Sequence, residues 1–287
     1  MGQALERRCM AEPTTEVATI DRSMAELPIT GMKDQSNSPE AVGISIKEAE
    51  ISDLSSIEEF LARPDIDGLF SPPLSDPVRG ITIRDRVQKK FHEGVWVIAV
   101  HEGRVVGCMA VVPSKLSIDV PAPDPNRGIQ VSEGVSFSGW QADKIMELST
   151  VVTDPKIKKA LKVKGMGTEL LDKAKDWTKR KGEGRWGLVT DSWVGGGMGE
   201  FIAKLNTRAY LDWCKQNNQE PSLDENGHLN TIVRVYSDPG KRGEDGPATV
   251  VYGIPIDNKD WEYHVQNQDG IRQTQGVYDK LNQSQMS

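Results

Sequence analysis

The stretch Met146–Leu171, MELSTVVTDPKIKKALKVKGMGTELL, decides how this chain is read. A β-branched run ends at Asp154-Pro155, a lysine-rich loop follows, and Gly165-Met166-Gly167 opens an amphipathic helix. The order brings a strand end, a turn and a helix N-terminus to one place. The first amides of a helix lack intrahelical acceptors and its dipole is positive there, so the spot suits a phosphate. Lys156, Lys158, Lys159, Lys162 and Lys164 stand beside it, in a chain whose net charge is −7. The pattern predicts a site for a phosphorylated cofactor. The competing reading is that Gly165 and Gly167 only let the helix pack closely on a sheet.

Working outward, Val95–Val100 and Val105–Val112 flank His101-Glu102-Gly103-Arg104, a hairpin signature with glycine where positive φ is needed. Both runs are apolar on two faces, which predicts central strands. Ile44–Ala49 alternates like a strand, and Leu54, Ile57, Phe60 and Leu61 form the apolar stripe of a helix capped by Ser52 or Asp53. Residues 65–77 read as a loop and 76–91 as a second helix. After the Gly165 helix come a strand near Arg185–Thr190, a helix over about 198–216, and paired strands at Thr231–Tyr236 and Thr249–Ile254. Interleaved strands and helices predict one α/β domain over residues 43–256 with an insertion at 114–143. Residues 1–42 are expected to be a flexible extension. Residues 257–287 are expected to be a polar tail with little to bury.

Composition narrows the function classes. An acidic chain lacks the basic face that nucleic acid requires. No run approaches a membrane span, and the N-terminus has no apolar signal region. Three scattered cysteines (Cys9, Cys108, Cys214) and four histidines without ligand spacing argue for a reducing, cytoplasmic setting and against a metal. No lysine-Ser/Thr pair follows Gly167, and no G-x-G-x-x-G follows an early strand, which disfavours other nucleotide-binding α/β proteins.

Four places, in order, resemble the GNAT superfamily of N-acyltransferases. Ile46-Lys47-Glu48-Ala49 with Asp53 and Ile57 looks like its first strand and helix, and the Val95–Val112 hairpin with Gly107 like its second and third strands. Glu147-Leu148 through Asp154-Pro155 looks like its fourth strand, and Lys162-Val163-Lys164-Gly165-Met166-Gly167 fits its Q/R-x-x-G-x-G/A motif. The sequence departs from the pattern in a longer loop before Gly165 and in Lys162, which keeps the charge but lacks the planar fork of arginine. The resemblance implies a mixed, mostly antiparallel central sheet, with helices on both faces and a splay between the family's strands four and five.

The same resemblance implies acetyl-CoA as co-substrate and no metal. Its diphosphate would rest on Lys162, Val163, Lys164, Gly165, Met166, Gly167 and Thr168, chiefly on the amides from Lys164 onward. Its pantetheine arm would run along Val151, Val152 and Thr153 like an added strand. Glu147 heads the fourth strand, where relatives often carry a general base; the plainer alternative is a surface carboxylate or ion pair. The usual tyrosine that protonates the thiolate aligns with Trp213, which has no hydroxyl. Tyr210, one turn earlier, either substitutes or is a core residue. Asn206 either bonds the cofactor arm or bonds locally. Phe70 is a candidate lid over the acceptor, and Asp191, Ser192 and Trp140 are weaker candidates.

The expected partner is an amine-bearing small molecule or peptide, with no nucleic acid and no membrane; a homodimer stays open. The alternative, from a different class, is a non-catalytic module that holds an acyl-CoA.

Overall fold

The computed structural model describes residues 37–70, 74–75, 80–114, 130–133, 144–181, 186–193, 197–224, 226–237 and 249–266. Among them, eight strands form one sheet. They are β1 (Ile44–Glu48), β2 (Val95–His101), β3 (Arg104–Pro113), β4 (Gln130–Glu133), β5 (Ile145–Thr153), β6 (Gly187–Trp193), β7 (Ile232–Ser237) and β8 (Thr249–Gly253). Their order is β1-β2-β3-β5-β6-β8-β7-β4, and every pairing is antiparallel except β5–β6. The predicted β2–β3 hairpin lies inside the sheet, and the insertion contributes β4 as an edge strand on β7.

Alternation along β2 assigns the two faces. Val95, Val97 and Ala99 join the cluster containing Met166, Leu170, Leu171 and Ala174 of α5 (Met166–Lys179) and Ile202 of α6 (Gly197–Asn217). Trp96 and Ile98 join the cluster of Ile57, Phe60 and Leu61 from α1 (Leu54–Leu61), with Ile66 of α2 (Pro64–Asp67) and Val87 of α3 (Ile83–Glu93). Helices therefore cover both faces. Trp96 also fixes α3 along its length by donating Nε1–H to the Val87 carbonyl at 3.1 Å.

Several boundaries differ from the sequence reading, each for a local reason. The second helix starts at Ile83 because Thr82 and Asp85 form a reciprocal capping box. Half of the lysine-rich loop is helical: Asp154 accepts from the amides of Lys156 and Ile157 and starts α4 (Pro155–Ala160). Ordered chain begins before residue 43, since the Lys164 amide donates to the Asn37 carbonyl at 2.9 Å and Val42 packs on the core.

The tail beyond 257 is not merely polar. It forms α7 (Asn258–Gln266), in which Asp260, Trp261 and His264 are buried. Asp260 accepts from the Ile256 amide at 2.8 Å, and Trp261 and His264 pack on Tyr210. Burial keeps the His264 imidazole neutral, with its pKa pulled down to about 4. The unfolded chain thus binds a proton there at a higher pH than the folded one. Stability is complete above about pH 6.5 and falls as pH drops toward 4, by up to about 3 kcal/mol from this group. Urea titrations across that window should show a shallower acid loss in His264→Gln than in the parent; parallel curves would refute the burial argument.

Candidate functional site

The site grows from β5. Its register with β3 slips between Ala110 and Val111: Ala110 faces Thr150 while Val111 faces Leu148, so Ser149 is an extra, bulged residue. On its other edge β5 pairs with β6 only through Ile145–Leu148 against Gly187–Thr190. Past the bulge the two parallel strands part, which is the expected splay.

Backbone parity decides which groups face the gap. The Asp154 amide donates to Val106 of β3 at 2.8 Å, so Val152, two residues back, also turns its main chain toward β3. Val151 and Thr153 turn theirs the opposite way, where β5 has no paired strand among the described residues. Val152 is a core residue, and Val151 is half-buried against the α5 cluster. Val151 and Thr153 therefore turn backbone donors and acceptors toward the gap; the Val152 side chain packs in the core.

Beyond the strand, Asp154 is nearly buried. Burial pushes its carboxyl upward, but Arg63 (Nη1 at 2.5 Å) and the two α4 amides outweigh that and hold it below the usual range. Arg63 also grips Asp65, which pairs with Lys156 at 2.9 Å. This network pins the start of the loop that leads to α5. Lys162 takes a left-handed backbone (φ 50°) to end the α4 turn, and Val163 drops into the core.

Gly165 caps α5 with φ 82° and ψ 0°. The first helical bond runs from Glu169 N–H to Gly165 O, which leaves the amides of Gly165, Met166, Gly167 and Thr168 without helical acceptors. Gly165 and Lys164 are exposed, so the turn is open to solvent, although the Lys164 amide is already bonded to Asn37. Met166 is buried, main chain and side chain together, and packs in the core. At Gly167 the close-packing reading holds: an added Cβ would lie 3.0 Å from the Phe201 ring of α6. All five lysines are exposed, and Lys156 is committed to Asp65.

Glu147 is half-buried and accepts a long bond from the Ser114 hydroxyl at 3.5 Å. Its strand partner is Val189, so Asp191, two residues on, shares its face of the sheet. That face carries α3, and here lies a group the sequence reading missed, Lys90. Its ammonium reaches the bulge, donating to the Ser149 carbonyl at 3.3 Å and to the Thr150 hydroxyl, and lies 5.8 Å from the Trp96 ring centre. Burial pulls its pKa down to about 8; Glu147 and Asp191 oppose the shift, and Arg86 reinforces it. The signal was in the helix period: Lys90 is three residues after Val87 and seven after Ile83, on the inward stripe.

Two expected site residues are placed elsewhere. Tyr210 is 1% exposed within a separate cluster of Trp213, Cys214, Leu229 and Trp261. Its hydroxyl accepts from the Ser222 amide, and burial raises its pKa, so it is a core tyrosine. Asn206 is fully buried and donates to the Thr231 hydroxyl and the Gly253 carbonyl, both at 2.9 Å, tying α6 to the β8 side of the sheet. Phe70 is half-buried against the α1–α3 cluster, which is a packing role. Trp140 lies outside the described residues.

The strand order, the lone parallel pair that parts at a bulge, and the glycine-capped helix after it together define the architecture. The fold is GNAT-like. No protein-family model matches the sequence, and no curated protein matches it at a significant level. Solved structures similar to it include the GphF GNAT-like decarboxylase in complex with isobutyryl-CoA (18% identity, 74% of this chain and 100% of that one, TM-score 0.39). A GNAT-family protein from Desulfovibrio desulfuricans matches at 13% identity over 75% of this chain and 99% of its own, with a TM-score of 0.38. The ribosomal-protein-S18-alanine N-acetyltransferase from Escherichia coli matches at 12% over 74% and 94%, with a TM-score of 0.36. Likenesses at these values carry no argument about activity, substrate or cofactor.

Among the described residues no helix is long and apolar enough to cross a membrane, and no cluster of His, Cys, Asp and Glu could hold a metal.

Proposed function

We propose that this chain is an acetyl-CoA-dependent N-acyltransferase acting on a small-molecule or peptidyl amine, with a catalytic domain spanning about residues 37–266. One observation carries the reading: the amides of Gly165–Thr168, which lack helical acceptors at a turn where Gly165 is exposed, and the main chain of Val151 and Thr153, which pairs with no strand among the described residues, belong to consecutive segments of one chain, and the strand leads to Glu147. The amides and helix dipole suit a diphosphate. The strand edge suits an amide-bearing arm that pairs as an added strand. Glu147, at the mouth of the gap, accepts the proton the amine sheds as its nitrogen attacks the thioester carbonyl.

Calorimetric titration with acetyl-CoA, followed by a thiol-release assay over a panel of primary amines, tests the proposal. Glu147→Gln should lower turnover about tenfold near pH 7 and leave acetyl-CoA affinity within twofold. Equal turnover across pH would remove Glu147 from the reaction.

A second reading keeps the thioester site but no chemistry, as a binding module. It is favoured by the burial of the Tyr210 hydroxyl and by Trp213 at the position of the usual acid. Tight acetyl-CoA binding with no thiol from any amine would support it.

A further inference from the structure

We propose that Lys90 is the general acid that protonates the leaving thiolate. This rests on the acyltransferase reading above and supplies the donor that Tyr210 and Trp213 cannot provide.

Placement comes first. An arm paired with Val151 and Thr153 carries its thioester toward the Ser149 bulge, where β6 leaves β5. The Lys90 ammonium stands at that bulge, bonded to the Ser149 carbonyl and the Thr150 hydroxyl. It is held there from behind by α3, itself locked by the Trp96–Val87 bond. A lysine on the inward stripe of a helix costs solvation, and neither of its two acceptors is a carboxylate. Glu147 and Asp191 favour its charged form, but burial outweighs them.

The titratable groups that act on it are Glu147 on β5, Asp191 on β6, Arg86 on α3 and the buried Cys108 thiol on β3; Trp96 of β2 packs on it without charge. With burial dominant, the ammonium has a pKa of about 8. That is close to the roughly 8.5 of a simple thiol, so proton transfer to sulfur is nearly balanced.

The step closes in atoms and charge. The neutral amine forms its N–C bond as the C–S bond breaks, and the sulfur keeps the bonding pair. The Lys90 ammonium passes one proton to sulfur and becomes neutral. Glu147 takes the proton shed by the new amide nitrogen. Transfer from the Glu147 carboxyl to the Lys90 amine restores both groups for the next cycle.

The test uses the full chain, acetyl-CoA and the amine panel, with thiol release read between about pH 6 and 9.5. Lys90→Met should lower kcat about a hundredfold and leave KM for acetyl-CoA within about threefold. Lys90→Arg keeps the charge but holds its proton, and should be as slow as Lys90→Met. The parent's kcat should decline above about pH 8, and that limb should vanish in both variants.

If Lys90→Met has no cooperative melt, Lys90→Gln, which can still donate to the Ser149 carbonyl, carries the same test. A Met or Gln variant within threefold of the parent overturns the role of Lys90 alone. A fully active Arg variant also overturns it, since charge without a transferable proton would then suffice. A parent that binds acetyl-CoA yet releases no thiol with any amine overturns the acyltransferase reading and this role together.

Discussion

Gly94→Ala should unfold this protein at a markedly lower temperature than any exposed substitution. Gly94 joins α3 to β2, and a Cβ there would sit 1.9 Å from the Val111 carbonyl oxygen, 2.9 Å from its carbon and 3.0 Å from Val112 Cα. All three are backbone atoms of β3, the strand paired with β2 from Val95↔Val111 onward. No rotamer change relieves such a clash. Either β2 pulls away from β3 or α3 lifts from the sheet, and the second loosens the Trp96–Val87 bond. Overpacking of this kind costs about 3 kcal/mol or more, which in a domain of this size lowers Tm by roughly 6–12 °C. Gly103→Ala is the control: it has φ 74° and nothing within 4 Å of an added Cβ, so only conformational strain of about 1 kcal/mol remains. Differential scanning calorimetry of the two variants decides the matter. Equal melting temperatures would mean that the helix–strand junction is looser than its packing indicates.

Gly165→Asp should leave the fold nearly intact and weaken acetyl-CoA binding by at least an order of magnitude. Nothing lies within 4 Å of a Cβ at this position, so there is no steric term against the protein itself. The left-handed backbone (φ 82°) costs something, but aspartate tolerates that region better than most residues and suits a helix N-cap. Its carboxylate would bond the amides of α5 and place a negative charge where the diphosphate should lie, so the substitution is selective for binding. Gly165→Asn, with the same shape and no charge, should bind several-fold better than Gly165→Asp, and the gap should narrow at high salt. Unchanged calorimetric affinity in Gly165→Asp would end the assignment of this turn as the cradle.

Much of the architecture was written in local patterns. The β2–β3 hairpin, the alternation of β1, the apolar stripes of α1 and α5 and the strand–turn–helix around Gly165 depend on periods of two and 3.6 residues and on turn chemistry, all short-range properties. The same holds for the backbone part of the candidate site, because a helix N-terminus and a strand edge exist wherever the helix and strand do.

Side-chain roles were another matter. Tyr210 and Asn206 had the right spacing for the cofactor yet pack into other surroundings, because α7 returns Trp261 and His264 over Tyr210 and the β8 side of the sheet claims Asn206. Lys90 lies on the inward stripe of α3, and only the docking of that helix on Trp96 turns its ammonium to the β5 bulge. The sequence alone determined the class of fold and the place of the glycine-capped turn before α5, since neighbouring residues suffice to specify both. Which charged groups meet at the gap between β5 and β6 depends on residues 90, 147 and 191 being brought together, and long-range packing alone does that.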